Sequence, residues 1–303
     1  MIAAQYQFMP TMLQGPEYDC SSVMPYGQAW ADLYGVKQLP FGTYSIVFGI
    51  ITEILYMPCA IGLRKDTKTS CYKIMFWLSI LDMVAIAANS ILFGVLLLEG
   101  AVYCSNPAMT LGVGIVGYGI WFAASACCLL LGVNRLLEIL DLSRYFTVCY
   151  ISSARTSSKF VSKRTNVYLL ICCSYGLFMV IVNSTHQSMF FSPFIPEHGF
   201  EEYVNLPHAV HNIGVALLSC LLYLTLSIVL VVKSVFIQVM LICGANLIAT
   251  LIYVYMNFFP APPALIVAGQ VCWQLIHGLP PFIYLSLNKS IRRTALQSVG
   301  LGK

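Results

Sequence analysis

Asp82, Asn89, Gln274 and His277 are the residues whose types and spacing invite chemistry. They sit in long apolar runs, where an ionisable or amide side chain is costly and normally turns toward other polar groups inside a bundle. Asp82 and Asn89 are seven residues apart and share one helix face; Gln270, Gln274 and His277 follow an i, i+4, i+7 stripe. Counted at about 1.5 Å per residue from opposite ends of their runs, Asp82 and His277 reach comparable depths. A core polar network of Asp82, Asn89, Gln274 and His277 is therefore expected. It would act either as hydrogen-bonded glue between helices or as a switching or ion-binding element. Glu53 is the other acid inside a run.

A second group lies toward one end of the runs: Tyr118, Trp121 and Phe122, then Asn183, His186 and Gln187, then His208, His211 and Asn212, then Gln270 and Trp273. Aromatic walls with a few polar groups suit a small organic ligand. Tyr118, Trp121, Phe122, His186, Gln270 and Trp273 are the candidate ligand-binding residues, although such aromatics also serve as plain membrane anchors. His208-x-x-His211 with His198 has metal-ligand residue types but no supporting cluster, so no metal site is expected. A Walker-type glycine loop, HExxH, GxSxG and paired intramembrane aspartates are all absent, so neither catalytic residues nor a cofactor is expected.

The elements that must hold these residues are seven apolar runs: 41–63, 74–98, 107–134, 167–190, 209–232, 235–259 and 264–287. About 20 residues of helix cross a hydrocarbon core of about 30 Å. Charged residues are 9 % of the chain and apolar ones 59 %, against about 25 % and 45–50 % in soluble domains. That excludes a soluble globular protein. The fold expected is an all-α membrane protein, a seven-transmembrane helix bundle. The segments would be an outer tail at 1–40, the bundle at 41–287 and an inner tail at 288–303. Of the 16 basic residues, only Lys37 falls outside one set of alternate connections. Since Lys and Arg stay on the cytoplasmic side, the amino terminus is expected outside and the carboxyl terminus inside. The net charge of +4 then faces anionic lipid rather than nucleic acid. Cys20 and Cys104 fall on the oxidising side and are expected to form a disulfide pinning the tail over the third run.

Local features refine the bundle. The third run, 107 to Arg135, is about 42 Å long at 1.5 Å per residue, so it must tilt or project inward. Gly112, Gly114, Gly117 and Gly119 allow close helix approach there. The fifth and sixth runs are separated only by Lys233 and Ser234, so span residues must be given up to make a turn. Pro280-Pro281 should kink or distort the seventh helix, and Asn288 through Arg293 is expected to lie on the inner leaflet.

Asn134-Arg135-Leu136, Asp82 within Leu78-Ser79-Ile80-Leu81-Asp82, and Pro281-Phe282-Ile283-Tyr284 resemble three elements of rhodopsin-like G-protein-coupled receptors. These are the Asp/Glu-Arg-Tyr triplet, the second-helix aspartate and PxxY. More specific pieces resemble the nematode serpentine receptors of class T: Tyr18-Asp19-Cys20-Ser21 ahead of Trp30, Leu55-Tyr56-Met57-Pro58, Ser70-Cys71-Tyr72-Lys73-Ile74-Met75, Gly100 through Pro107, Tyr253-Val254-Tyr255-Met256, and Trp273 through Arg293. The resemblance covers about residues 18–293. It implies a chemosensory receptor of the plasma or sensory-cilium membrane, with a small-molecule or peptide ligand and a heterotrimeric G protein as partners. By that analogy Asn134, Arg135 and Tyr284 form the G-protein switch. The chain departs from the rhodopsin-like pattern at Asn134, where an acid is usual, and in its very short connection at Lys233. The alternative reading is a transporter or cation or proton channel using Asp82, Glu53 and His277.

Overall fold

Each apolar run satisfies its own backbone as a helix, the economical solution where water cannot serve the amides. The computed structural model describes residues 36–65, 69–101, 105, 107–139, 154–183, 206–230, 234–259, 262–298 and 300. Within them lie α1 (Leu39–Lys65), α2 (Ser70–Glu99), α3 (Pro107–Ile139), α4 (Ala154–Asn183), α5 (Leu206–Leu230), α6 (Ser234–Phe258), α7 (Pro263–Leu287) and the short α8 (Lys289–Ser298). By length and apolarity α1, α2, Gly112–Leu137 of α3 and Arg164–Ile181 of α4 can each cross a membrane. The polar stripe of Gln270, Gln274 and His277 and the prolines dilute the apolarity of α7. The expected Cys20–Cys104 disulfide, His186, His198 and Lys233 lie outside the described residues.

α3 packs on α2, α4 and α5, and the succession of α5–α6, α6–α7, α7–α1 and α1–α2 contacts forms a ring that α3 completes. Only three residues separate α5 from α6, yet the two pack along each other. Three residues cannot bridge the length of a 25-residue helix, so the two helices run antiparallel. Polarity runs outward in reverse of a soluble protein. Leu170 is 67 % exposed and Leu221 64 %, while Gln274 is 0 % and His277 1 % exposed. Such a surface suits hydrocarbon rather than water.

Two glycine contacts set the closest approaches. A Cβ on Gly176 of α4 would stand 2.5 Å from the Gly119 carbonyl oxygen of α3. A Cβ on Gly94 of α2 would stand 2.8 Å from the Gly42 carbonyl oxygen of α1. Gly112 serves no such contact: nothing described lies within 4 Å of a Cβ placed there. α8 tucks beneath α1, burying Ile291 and Ala295, whose backbones pass 3.5 and 3.7 Å from a Cβ placed on Gly62. The Asn288 side chain caps α8 through the Ile291 N–H at 3.1 Å, and Arg292 donates back to the Ser286 carbonyl of α7 at 3.0 Å. These two bonds fix the corner between α7 and α8.

Candidate functional site

Two helices of the core carry a backbone fault, and in both the exposed carbonyl is served by side chains from a neighbour. The first fault is in α2, where Ala87–Leu92 forms a π turn. The Phe93 N–H reaches Ala88 and Ser90 carbonyls and bypasses that of Asn89. The Asn89 carbonyl instead accepts from Gln270 Nε2 at 2.9 Å and Gln274 Nε2 at 3.1 Å, both on α7. Gln274 Nε2 also reaches Ser45 Oγ of α1 at 3.0 Å. The second fault is in α7. Pro281 has no N–H to give the carbonyl four residues earlier, which is that of His277. Tyr56 of α1 supplies the missing donor, its hydroxyl 2.6 Å from the His277 carbonyl oxygen. The helix runs on through Pro280 and Pro281 to Leu287.

The same Tyr56 hydroxyl lies 2.9 Å from Asp82 Oδ2, and His277 Nδ1 lies 2.7 Å from Asp82 Oδ1. Tyr56, Asp82 and His277 are 0, 3 and 1 % exposed. One phenol proton cannot serve two acceptors fully. When it serves the carbonyl, the second contact needs a proton on Asp82 Oδ2 donated to the phenol oxygen. When it serves the carboxylate, the carbonyl loses its donor. The cluster thus has two hydrogen-bond arrangements, one with the phenol proton on the His277 carbonyl and Asp82 protonated, the other with the phenol proton directed at an ionised Asp82. Asn89 Nδ2, Gln274 Oε1 and His277 Nε2 are buried with no hydrogen-bond partner among the described residues.

The four residues expected in the core are therefore adjacent in two linked pairs, Asp82 with His277 and Asn89 with Gln274. Gln270 belongs with this group, since its amide is committed to Asn89. Tyr56, the hub of the site, is what the polarity pattern missed. A tyrosine in an apolar run reads as an anchor, and only the loss of a donor at Pro281 could have pointed to it.

Above this core lies an aromatic cluster. Phe122 packs against His211 with the rings tilted by 42° and centroids 4.1 Å apart, and its centroid lies 4.7 Å from that of Tyr118 and 5.8 Å from that of Tyr175. Trp121 donates to Asn212 Oδ1 at 3.0 Å, and the Asn212 amide nitrogen meets His208 Nε2 at 3.2 Å. Trp121 also sets its edge against the His277 ring at 6.3 Å, which joins the aromatic cluster to the polar core. Tyr118 and Trp273 pack against the same group, and His186 falls outside the described residues.

At the opposite end, Tyr284 is 3 % exposed among Cys59, Leu63, Cys71, Met75 and Ile291, with Leu131 of α3 against them. Asn134 and Arg135 are half-buried one turn beyond Leu131. Among the described residues no group of three His, Cys, Asp or Glu side chains could hold a metal ion.

Comparison with known proteins adds two findings. Residues 3–303 match the family described as "Serpentine type 7TM GPCR chemoreceptor Srt". Serpentine receptor class T-55 of Caenorhabditis elegans is 25 % identical over 309 aligned positions, covering 95 % of this chain and 82 % of that protein.

Proposed function

Because the chain belongs to the serpentine seven-transmembrane chemoreceptor family, and is thus a multi-pass membrane protein of a receptor family, we propose that it binds a small external ligand within the bundle and signals to a heterotrimeric G protein. The amino terminus faces outside, and the inner end of α3 with α7 and α8 faces the cytosol of a plasma or ciliary membrane. The segments are an outer tail at 1–40, the bundle at 41–287 and an inner tail at 288–303. Tyr118, Trp121, Phe122, Trp273 and His186 meet the ligand. Asn134, Arg135 and Tyr284 form the switch toward the G protein. Cys20 and Cys104 hold the outer tail in place.

The observation that carries this reading is the Tyr56–Asp82–His277 cluster, which ties α1, α2 and α7 together between those two ends. A static glue would satisfy its polar atoms, since leaving them bare in low dielectric is expensive. Here Asn89, Gln274 and His277 each keep a polar atom with no partner among the described residues, and one tyrosine faces two acceptors. A second arrangement of the same residues can therefore form other bonds, which is the property of a two-state element. A ligand biases such an element only through unequal affinity for its two states, and Trp121 against His277 is the contact through which it would act.

The test is nucleotide exchange on a G protein by receptor in lipid nanodiscs, with cation flux measured in parallel liposomes. Exchange that Arg135→Ala abolishes, without flux, is the expected result. Flux dependent on Asp82, with no exchange, would replace the receptor by a channel or transporter.

A further inference from the structure

The outer aromatic cluster also has a definite charge and hydrogen-bond character. From Pro107 to Asn134, from Asn166 to Asn183, and throughout α5, α6 and α7 there is no Asp, Glu, Lys or Arg. An ionic ligand among these helices would meet no counter-charge from the helices themselves, and an unpaired ion in low dielectric is strongly disfavoured. Asp82 is held by His277 and Tyr56, so it is not available to an amine. The histidines do not replace the missing charge. Indole N–H only donates, so Trp121 fixes Asn212 Oδ1 as acceptor. That turns the Asn212 amide nitrogen toward His208 Nε2, which must then be the bare nitrogen of a neutral ring. His211 shares its Nδ1 with the Tyr175 hydroxyl at 2.9 Å. A phenol is the stronger donor of that pair and imidazole nitrogen the stronger acceptor, which leaves the proton on Nε2. That Nε2 is buried and has no partner among the described residues, an uncommon condition for a buried donor.

We propose that the cluster of Phe122, Tyr175, His208 and His211 takes an uncharged, ring-bearing ligand with one hydrogen-bond acceptor, such as a carbonyl, directed at His211 Nε2. This rests on the reading that the bundle houses the ligand. The rings supply stacking and apolar area, and the single free N–H supplies orientation. Neither ammonium nor carboxylate ligands fit this class.

Four planar probes of one shape decide it: acetophenone, α-methylstyrene, benzamidinium and benzoate. They place a carbonyl, a carbon–carbon double bond, a cation and an anion on the same phenyl ring. Binding is read from the thermal unfolding midpoint of the full-length protein in nanodiscs, which needs no G protein and so is independent of signalling. Acetophenone is expected to bind about three- to tenfold tighter than α-methylstyrene, the ratio one neutral hydrogen bond provides, and the two ions to cause no shift. His211→Ala should make acetophenone and α-methylstyrene equal, His211→Gln should keep part of the difference, and Phe122→Leu should weaken both. Binding of benzamidinium or benzoate as tight as acetophenone overturns the uncharged class while leaving the bundle as ligand site. A carbonyl preference that survives His211→Ala overturns the orientation by Nε2. Absence of any shift, or shifts indifferent to Phe122→Leu, overturns the site itself.

Discussion

Tyr56→Phe in combination with Pro281→Ala isolates the most specific bond of the core. The tyrosine hydroxyl stands 2.6 Å from a carbonyl that Pro281 leaves without its helical donor. Removing the hydroxyl leaves a buried acceptor bare, a loss of about 1–3 kcal/mol in soluble proteins. Hydrogen bonds between membrane helices measure about 0.6 and at most about 1.7 kcal/mol, so about 1.5 kcal/mol is expected for this short, fully buried one. In a Pro281→Ala background the new N–H can serve the His277 carbonyl itself. Tyr56→Phe should then cost only about 0.5 kcal/mol, the remainder being its contact with Asp82, which leaves a coupling of about 1 kcal/mol. The assay is unfolding of the purified protein by titration of a denaturing detergent into mild micelles, for the parent, both single variants and the double variant. Equal cost of Tyr56→Phe in both backgrounds, within about 0.3 kcal/mol, would refute the pairing of hydroxyl and proline.

Gln270→Leu and Gln274→Leu each leave the Asn89 carbonyl one amide donor, so each should cost about 0.5 kcal/mol and the double variant more than the sum, by the same unfolding titration. Asp82→Asn retains an oxygen for His277 and gains an amide donor for Tyr56; surface expression should stay near normal while ligand-evoked exchange falls, and Asp82→Ala should lose both. Gly176→Leu forces bulk against the Gly119 carbonyl and should cost about 1–3 kcal/mol with a lower cell-surface yield, whereas Gly112→Ala should be silent in both.

The number of helices and their approximate spans were legible because a bilayer demands long apolar runs, and each expected run corresponds to a helix. α4 shows where that signal stops. It begins at Ala154, well before the apolar run, because hydropathy marks the part in hydrocarbon and says nothing of a helix that continues through Ser, Thr and Arg residues. α5 ends at Leu230, two residues short of the expected fifth run, and α6 begins at Ser234. Within the core, the stripe on α7 and the Asp82–Asn89 face were visible as periodicity. The reason Asn89 faces two glutamines was not, because a π turn depends on packing and leaves no residue signature in Ala87–Leu92. The part played by Tyr56 was equally hidden. It follows from a proline more than two hundred residues away, a relation that spacing within one run cannot express.

Every functional step in this account requires the end carrying Arg135, Tyr284 and α8 to face the cytosol. Single cysteines placed at Lys233 and at the carboxyl terminus of a variant lacking reactive cysteines, labelled with an impermeant maleimide in intact and permeabilised cells, measure that directly. Labelling of both sites only after permeabilisation is the expected result. Labelling of the carboxyl terminus on intact cells would contradict the account, because it would put the proposed switch outside and the aromatic cluster at the inner face.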